Sequence, residues 1–315
     1  SAEFVRTREY DKVCDELKKH IDANPSRTIL MFMLAIVYRK QAKYDDAEHW
    51  YLEVLKTFPN NVVYEHLSNL YRAQKKVTKA FEYASKVFES GKDKAFNWVN
   101  YCNALMNIGR VEEGANVLDE ALTKFGDDKT PIPLLNIHYS PDINPETLSR
   151  AHFNMSEKNS SLFEARRNHV REIDQNRKLR IGYISGDFRK HSVAYFFESL
   201  LDGHSKDFEV YGYGNLPARD EVTERLEKKF TKYKDITGMG AKIIGNLIES
   251  DKIDILVDLS GHTSNGRLDV MALKPAPVQV TCIGYPDTTG LRSIDYRFTD
   301  EYADKEEYQK YYAEE

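Results

Sequence analysis

The chain has 315 residues, 41% of them hydrophobic and 30% charged, which at about 150 residues per domain predicts two domains with real cores. Forty-five basic residues against fifty acidic ones leave a net charge of −5, and the signs are mixed throughout. That balance argues against a nucleic-acid coat, and the longest apolar run, Ile29 to Val37, is far below the ~20 residues that cross a bilayer. Three scattered cysteines, Cys14, Cys102 and Cys282, form no C-x-x-C pair. Neither a disulfide framework nor a metal site is expected, and a reducing cytoplasmic or nuclear setting is.

The first 125 residues repeat. Met31, Leu34, Ala35, Tyr38, Ala47, Tyr51 and Val54 lead to Pro59, and Tyr64, Leu67, Ser68, Tyr71, Ala80, Ala84 and Val87 follow the same template. Trp98, Tyr101, Cys102, Leu105, Gly114, Leu118 and Ala121 make a third copy. A period of ~34 residues, with small residues where two helices cross and a proline at the end, is that of tetratricopeptide repeats. Tyr10, Val13, Leu17 and Pro25 supply half a unit in front, so about three and a half repeats fill 1–125. Neither helix of such a unit buries its apolar face alone, and stacking builds the core. The array predicts a small groove for extended protein or peptide segments.

Residues 126–177 change texture. Four of the ten prolines (Pro131, Pro133, Pro141 and Pro145) stop the repeats. Asn144-Pro145-Glu146 reads as a helix start, with a capping side chain, a proline at the first helical position and an acid in the first turn. A polar, helical connector from Phe153 to Asn176 is expected to lead into the second domain.

From 178 onward strands and helices alternate. Leu179 to Ser185, Phe208 to Tyr213, Ile253 to Leu259, Val278 to Ile283 and Ile294 to Phe298 read as strands. His191 to Leu201, Asp220 to Phe230, a segment around Ile243 to Ile248, and Arg267 to Leu273 read as helices. This order predicts a parallel, doubly wound sheet, with the ligand crevice beyond the carboxyl ends of its strands. The tail from Tyr302 to Glu315 reads as a solvated helix.

Three strand ends then deliver polar residues to one rim: Ser185-Gly186-Asp187 with His191, Ser260-Gly261-His262-Thr263, and Gly284-Tyr285-Pro286-Asp287-Thr288-Thr289-Gly290. There is no G-x-G-x-x-G after a strand, no P-loop and no H-E-x-x-H, so dinucleotide, P-loop and zincin chemistry lose their usual support. His191 sits before a helix start, where amides favour negative charge, and His262 sits in a glycine turn. Both are candidates for proton transfer near neutral pH, although a histidine that only caps a helix or fills a turn has the same local sequence.

The stretches Leu179-RIGYISGDFRKHSV-Ala194, Asp254-ILVDLSGHT-Ser264 and Lys274-PAPVQVTCIGYPDTTGLRSIDYRFTD-Glu301 resemble the O-GlcNAc transferase superfamily, and within it the SPINDLY-type members. Asn136-Ile-His-Tyr-Ser140, Pro145 and Ala151-His152 resemble the family's lead-in. The resemblance implies tetratricopeptide repeats fused to the Rossmann-like amino-terminal lobe of a GT-B glycosyltransferase, which spans 178–315 here and ends at the crossover between lobes.

It also implies transfer of GlcNAc or fucose from UDP-GlcNAc or GDP-fucose to Ser or Thr of intracellular proteins, with inversion and without cofactor or metal. His191 and His262 then map onto the catalytic rim, and Asp187, Gly261, Thr263, Gly284, Tyr285, Pro286, Thr288 and Thr289 onto the donor and substrate side. Family members carry a second lobe that holds most of the nucleotide. These 315 residues by themselves are therefore expected neither to bind the donor tightly nor to turn over. The competing reading is a non-catalytic, peptide-binding adaptor with a degenerate glycosyltransferase lobe.

Overall fold

The computed structural model describes residues 2–126, 134–138, 144–160 and 177–315. They form two compact units, Ser1–Pro141 and Asp142–Glu315.

The first unit is a run of helices: α1 (Ala2–Ala23), α2 (Thr28–Lys40), α3 (Tyr44–Thr57), α4 (Asn61–Ala73), α5 (Val77–Ser90), α6 (Ala95–Asn107), α7 (Val111–Phe125) and the single turn α8 (Leu134–Ile137). Helices α2/α3, α4/α5 and α6/α7 pair as antiparallel hairpins, with α1 in front. Ala47, Ala80 and Gly114 occupy the crossing position in the second helix of each pair and are buried. At Gly114 a Cβ would lie 2.8 Å from Met106 Cγ, so the two helices approach too closely for a larger residue. Tyr38, Tyr71 and Leu105 fill the facing layer, and Tyr51, Leu67 and Leu118 are almost wholly excluded from water.

Each hairpin turns through a left-handed residue. Ala42 (φ 57), Lys75 (φ 58) and Gly109 (φ 84) stand at equivalent positions. The next amide closes back five residues in each case: Lys43 to the Tyr38 carbonyl, Lys76 to Tyr71 and Arg110 to Leu105. That is the Schellman closure, which needs one residue at positive φ after the helix.

The second unit opens with α9 (Pro145–Ser160) and continues as β1 (Leu179–Ser185), α10 (Ser192–Asp202), β2 (Phe208–Gly214), α11 (Glu221–Glu227), β3 (Lys232–Asp235), α12 (Ala241–Ser250), β4 (Ile255–Asp258), α13 (Leu268–Ala272), β5 (Val278–Cys282) and β6 (Tyr296–Phe298). A 3-10 helix, Glu306–Tyr311, follows. The six strands are parallel, in the order β3-β2-β1-β4-β5-β6. This is the Rossmann order, which reverses direction between β1 and β4 and opens its crevice at their carboxyl ends.

Two cores cover the two faces of the sheet. Ile181, Tyr183, Val210, Val257 and Val280 pack with Val193 and Phe197 of α10 and Leu226 of α11. On the other face Ile184, Tyr213 and Leu256 pack with Ile244 and Ile248 of α12 and Met271 of α13. Strands buried on both faces need near-continuous apolar runs, and these have them. Strand β3 was not expected. Its Lys232-Tyr-Lys-Asp235 sequence alternates at an edge, without an apolar run to reveal it.

The anticipated connector places its helix earlier than Phe153, over Pro145–Ser160 in the second unit, and residues 161–176 lie outside the described residues. The tail is solvated as expected over most of its length, with a 3-10 helix of mostly exposed residues at Glu306–Tyr311, but not at its end. Glu314 is 2% exposed and reaches into the sheet unit, as described next.

Candidate active site at the carboxyl rim of the sheet

The rim begins where β1 and β4 end side by side. The Gly186 amide donates to Ser260 Oγ at 3.2 Å, and the Ser185 and Ser260 hydroxyls lie 3.4 Å apart. Asp258, fully buried at the end of β4, accepts from the amides of Ser260 (3.2 Å) and Gly261 (2.8 Å) and from the Thr281 hydroxyl (3.0 Å). Burial pushes its carboxyl up to about 6 in spite of these donors. The turn it organises requires Gly261, with φ +53, where a Cβ would sit 2.4 Å from Tyr285 Cβ. Thr263 closes the same turn, its amide and hydroxyl both donating to the Ser260 carbonyl.

His262 projects from this turn. Its Nε2–H donates to the Thr289 carbonyl at 2.8 Å, because a carbonyl can only accept. The neutral ring therefore keeps its lone pair at Nδ1, which has no hydrogen-bond partner among the described residues. Burial, reinforced by His152, pushes His262 down to about 4. At neutral pH it is an uncharged acceptor.

The loop after β5 supplies the third side. The Gly284 amide donates to the Cys282 carbonyl at 2.8 Å, closing a γ-turn around Ile283 at φ 62. Tyr285 is buried, and burial holds its phenol well above the usual range, so the hydroxyl stays a donor. It donates to His152 Nε2 at 2.6 Å. Pro286 is exposed, and its carbonyl accepts from Arg297 Nη2 at 2.9 Å.

Thr288 and Thr289 are fully buried, and both donate to the Glu314 carboxylate, as does the Thr289 amide at 2.8 Å. The Thr288 oxygen also accepts from the amides of Gly290 and Ala313, and that of Thr289 from Leu291. The Thr288 hydroxyl is saturated, and that of Thr289 donates once and accepts once. They were expected to line the donor; both hydroxyls are held by Glu314 and shape the turn.

The second group lies after β1. Phe188, fully buried among aromatic rings, anchors the loop. Asp187 is 3% exposed, and burial raises its carboxyl against the pull of His191 and Arg189. His191 caps α10, accepting the Val193 amide at Nδ1 (3.3 Å), with Asp187 Oδ1 at 3.7 Å. In that state the neutral ring offers Nε2–H, and its side chain is 37% exposed. So the structure brings Gly261, His262, Gly284, Tyr285 and Thr289 into direct contact. Asp187 and His191 stand on the neighbouring strand end, joined to the first group through the Ser185–Ser260 pair.

Sequence reasoning left four contributors unassigned: Asp258, Ser260, His152 and Glu314. An acid two residues before Ser-Gly at a strand end is an Asx-turn pattern and pointed to Asp258. Glu314 lies in an acidic, tyrosine-rich tail and carried no signal.

The sequence family described as glycosyl transferase family 41 matches residues 146–315, and a tetratricopeptide repeat matches 33–58. The chain belongs to glycosyl transferase family 41. The family 41 match covers the whole rim just described, α9 included. Among relatives, a protein of Arabidopsis thaliana named "Probable UDP-N-acetylglucosamine–peptide N-acetylglucosaminyltransferase SPINDLY" is 49% identical over 136 residues, 42% of this chain and 15% of that one.

Its Petunia hybrida namesake is 40% identical over 176 residues, 54% of this chain and 19% of that one. The SEC protein of Arabidopsis thaliana is 37% identical over 141 residues, 44% of this chain and 14% of that one. A solved Thermobaculum terrenum O-GlcNAc transferase mutant superposes with a TM-score of 0.79 at 28% identity, over 91% of this chain and 56% of that one. The family 41 chain thus spans less than a fifth of these curated relatives. Its fold is tetratricopeptide repeats followed by one Rossmann-like lobe of the GT-B type. No described helix is long and apolar enough to cross a membrane.

Proposed function

We propose that this chain is the repeat region and acceptor-side lobe of an intracellular protein O-glycosyltransferase. It moves GlcNAc or fucose from a nucleotide sugar to Ser or Thr hydroxyls, with inversion and without a resident metal ion or cofactor. The observation that carries the reading is a neutral, half-buried His262 with a bare Nδ1, set on the crevice of a lobe that belongs to a glycosyltransferase family. Protein segments bind the repeat groove, and the donor is held jointly with a further lobe. Three free cysteines suit a reducing cytoplasmic or nuclear setting.

The hydrogen bonds divide the labour. In transfer, the acceptor oxygen forms a bond to the anomeric carbon, the bond from that carbon to the diphosphate oxygen breaks, and the hydroxyl proton leaves. His262 Nδ1 is the acceptor for that hydroxyl. His191, whose Nδ1 is engaged as a helix cap, presents Nε2–H as a donor to oxygen or developing negative charge. The backbone at Gly284 and Pro286 faces the donor sugar and its diphosphate.

The test is transfer from UDP-GlcNAc and from GDP-fucose to acceptor peptides by the full-length protein, with the anomer of the product read by NMR. His262→Ala is expected to lower kcat at least 100-fold, His191→Ala to lower it at least tenfold, and EDTA to leave both donors' rates unchanged. Unaltered turnover in either variant removes that residue from the mechanism. Failure of the full-length protein to transfer from both donors, with peptide binding retained, establishes the adaptor instead.

A further inference from the structure

His152 lies outside the Rossmann sheet, on α9, yet it is 0% exposed and both of its ring nitrogens are engaged. Nδ1 faces the Leu148 carbonyl at 2.8 Å and must donate to it. Nε2 of the neutral ring is then an acceptor, and it takes the Tyr285 hydroxyl at 2.6 Å. The rings of His152, Tyr285 and His262 close a triangle: centroids are 5.6 Å apart for His152–Tyr285, 5.3 Å for His262–Tyr285 and 5.4 Å for His152–His262. In such a triangle no ring turns over without displacing the other two.

One helical turn on, Ser156 Oγ donates to the Thr289 carbonyl, the same oxygen that takes the His262 Nε2–H. Helix α9 comes this close only because residue 290 is glycine: a Cβ there would lie 2.6 Å from the His152 carbonyl oxygen. Thus α9 grips His262 twice, by ring contact from 152 and through the shared carbonyl from 156.

We propose that His152 is a positioning residue of the transfer site, holding His262 as the Nε2–H tautomer so that its Nδ1 stays bare for a hydroxyl. The functional importance of that acceptor rests on the reading given above; the tautomer itself does not. With His152 in place, the Tyr285 hydroxyl is committed as a donor to His152, and the His262 ring has its Nε2 on Thr289. Without it, the buried Tyr285 hydroxyl must find another partner, and the His262 ring, 5.3 Å away between centroids, is packed against it.

Imidazole nitrogen NMR of the histidine-labelled 315-residue chain distinguishes the two nitrogens directly. In the parent chain, His262 is expected to show a protonated Nε2 and a bare Nδ1. In His152→Phe, which keeps a ring but no acceptor, the two nitrogen signals should move towards each other by at least a third of their separation. His152→Gln, whose amide oxygen reaches the Tyr285 hydroxyl, should restore the parent pattern. A folded His152→Phe chain with unchanged His262 signals overturns the proposal.

If His152→Phe does not fold, His152→Leu decides. It removes the Nε2 acceptor with a smaller side chain, and an unperturbed His262 tautomer in that folded variant overturns the proposal equally. In full-length protein, His152→Phe is expected to lower kcat about tenfold with the acceptor KM unchanged, and His152→Gln to recover it. Tautomer loss without any transfer activity in the parent protein leaves the positioning in place and refutes only the catalytic reading.

Discussion

A Cβ built on Gly284 would stand 1.8 Å from the carbonyl oxygen of Leu259. The loop after β5 is therefore pressed onto the backbone that leaves β4, and only hydrogen fits between them. Gly284→Ala meets backbone, which has no rotamer to yield, and should destabilise the second unit by about 3 kcal/mol or more. Gly109→Ala is the control. It lies at positive φ (84), unlike Gly284, and has nothing within 4 Å of its Cβ, so it should cost only about 1 kcal/mol of backbone strain. Chemical denaturation of the two variants separates crowding from strain, and equal losses would contradict the packing described.

The three hairpin turns of the repeats offer the converse experiment. Ala42 and Lys75 hold the left-handed conformation that Gly109 adopts without penalty. Lys75→Gly and Ala42→Gly are each expected to stabilise the first unit by about 0.5–1 kcal/mol, the relief of φ strain outweighing the added freedom of the unfolded chain. A lower melting temperature for both would mean that these turns do not carry positive φ in solution.

Acid titration of His262 has a definite sign. Its folded value, about 4, lies below the ordinary histidine value of 6.5. The folded state therefore takes up its proton later than the unfolded chain does. The associated stability is fully present above pH 6.5 and is lost as the pH falls towards 4. Asp258 acts in the opposite sense: raised from 3.8 to about 6, it contributes stability below pH 3.8 that is lost as the pH rises through 6. In the wild type the two partly offset each other. His262→Gln removes the first contribution only, so its stability between pH 6.5 and 4.5 should fall less than the wild type's by about 2–3 kcal/mol. Parallel pH dependences in guanidinium titrations would rule out a neutral, half-buried His262.

Glu314 closes the rim from the far end of the described chain. Its carboxylate receives two hydroxyls and one amide from Thr288 and Thr289. Glu314→Gln keeps the shape but turns one acceptor oxygen into a donor that faces an already saturated Thr288, at an expected cost of about 2 kcal/mol. Hydrogen exchange at the amides of 288–291 should quicken at least tenfold, with the amides of the repeat helices unaltered. Protection retained at 288–291 would show that the turn is held by something other than this carboxylate.

Much of this architecture was legible residue by residue. The 34-residue recurrence of Ala47, Ala80 and Gly114 announces stacked hairpins, because helix crossings tolerate only small side chains. The apolar runs at Leu179 to Ser185 and Ile253 to Leu259 announce strands buried on both faces. The rim itself was also within reach, since parallel strands deliver their carboxyl ends to one edge and glycines mark its turns. Strand β3 and the buried Glu314 were not. An edge strand shows no continuous apolar run, and a lone acid in a polar tail has the composition of a solvated segment.

Local sequence thus determined which elements form and which edge of the sheet carries chemistry, because periodicity, turn residues and strand direction act over a few neighbours at a time. It left open which hydroxyls and ring nitrogens remain available. Thr288 and Thr289 carry hydroxyls like any others until Glu314, 26 and 25 residues away, takes both. His262 is an acceptor at Nδ1 because Thr289, 27 residues on, fixes its other nitrogen, and Tyr285 is bound by His152 across 133 residues. A proton's place on a ring or a carboxylate depends on what lies within about 3 Å of it, and only the closed tertiary fold sets those distances.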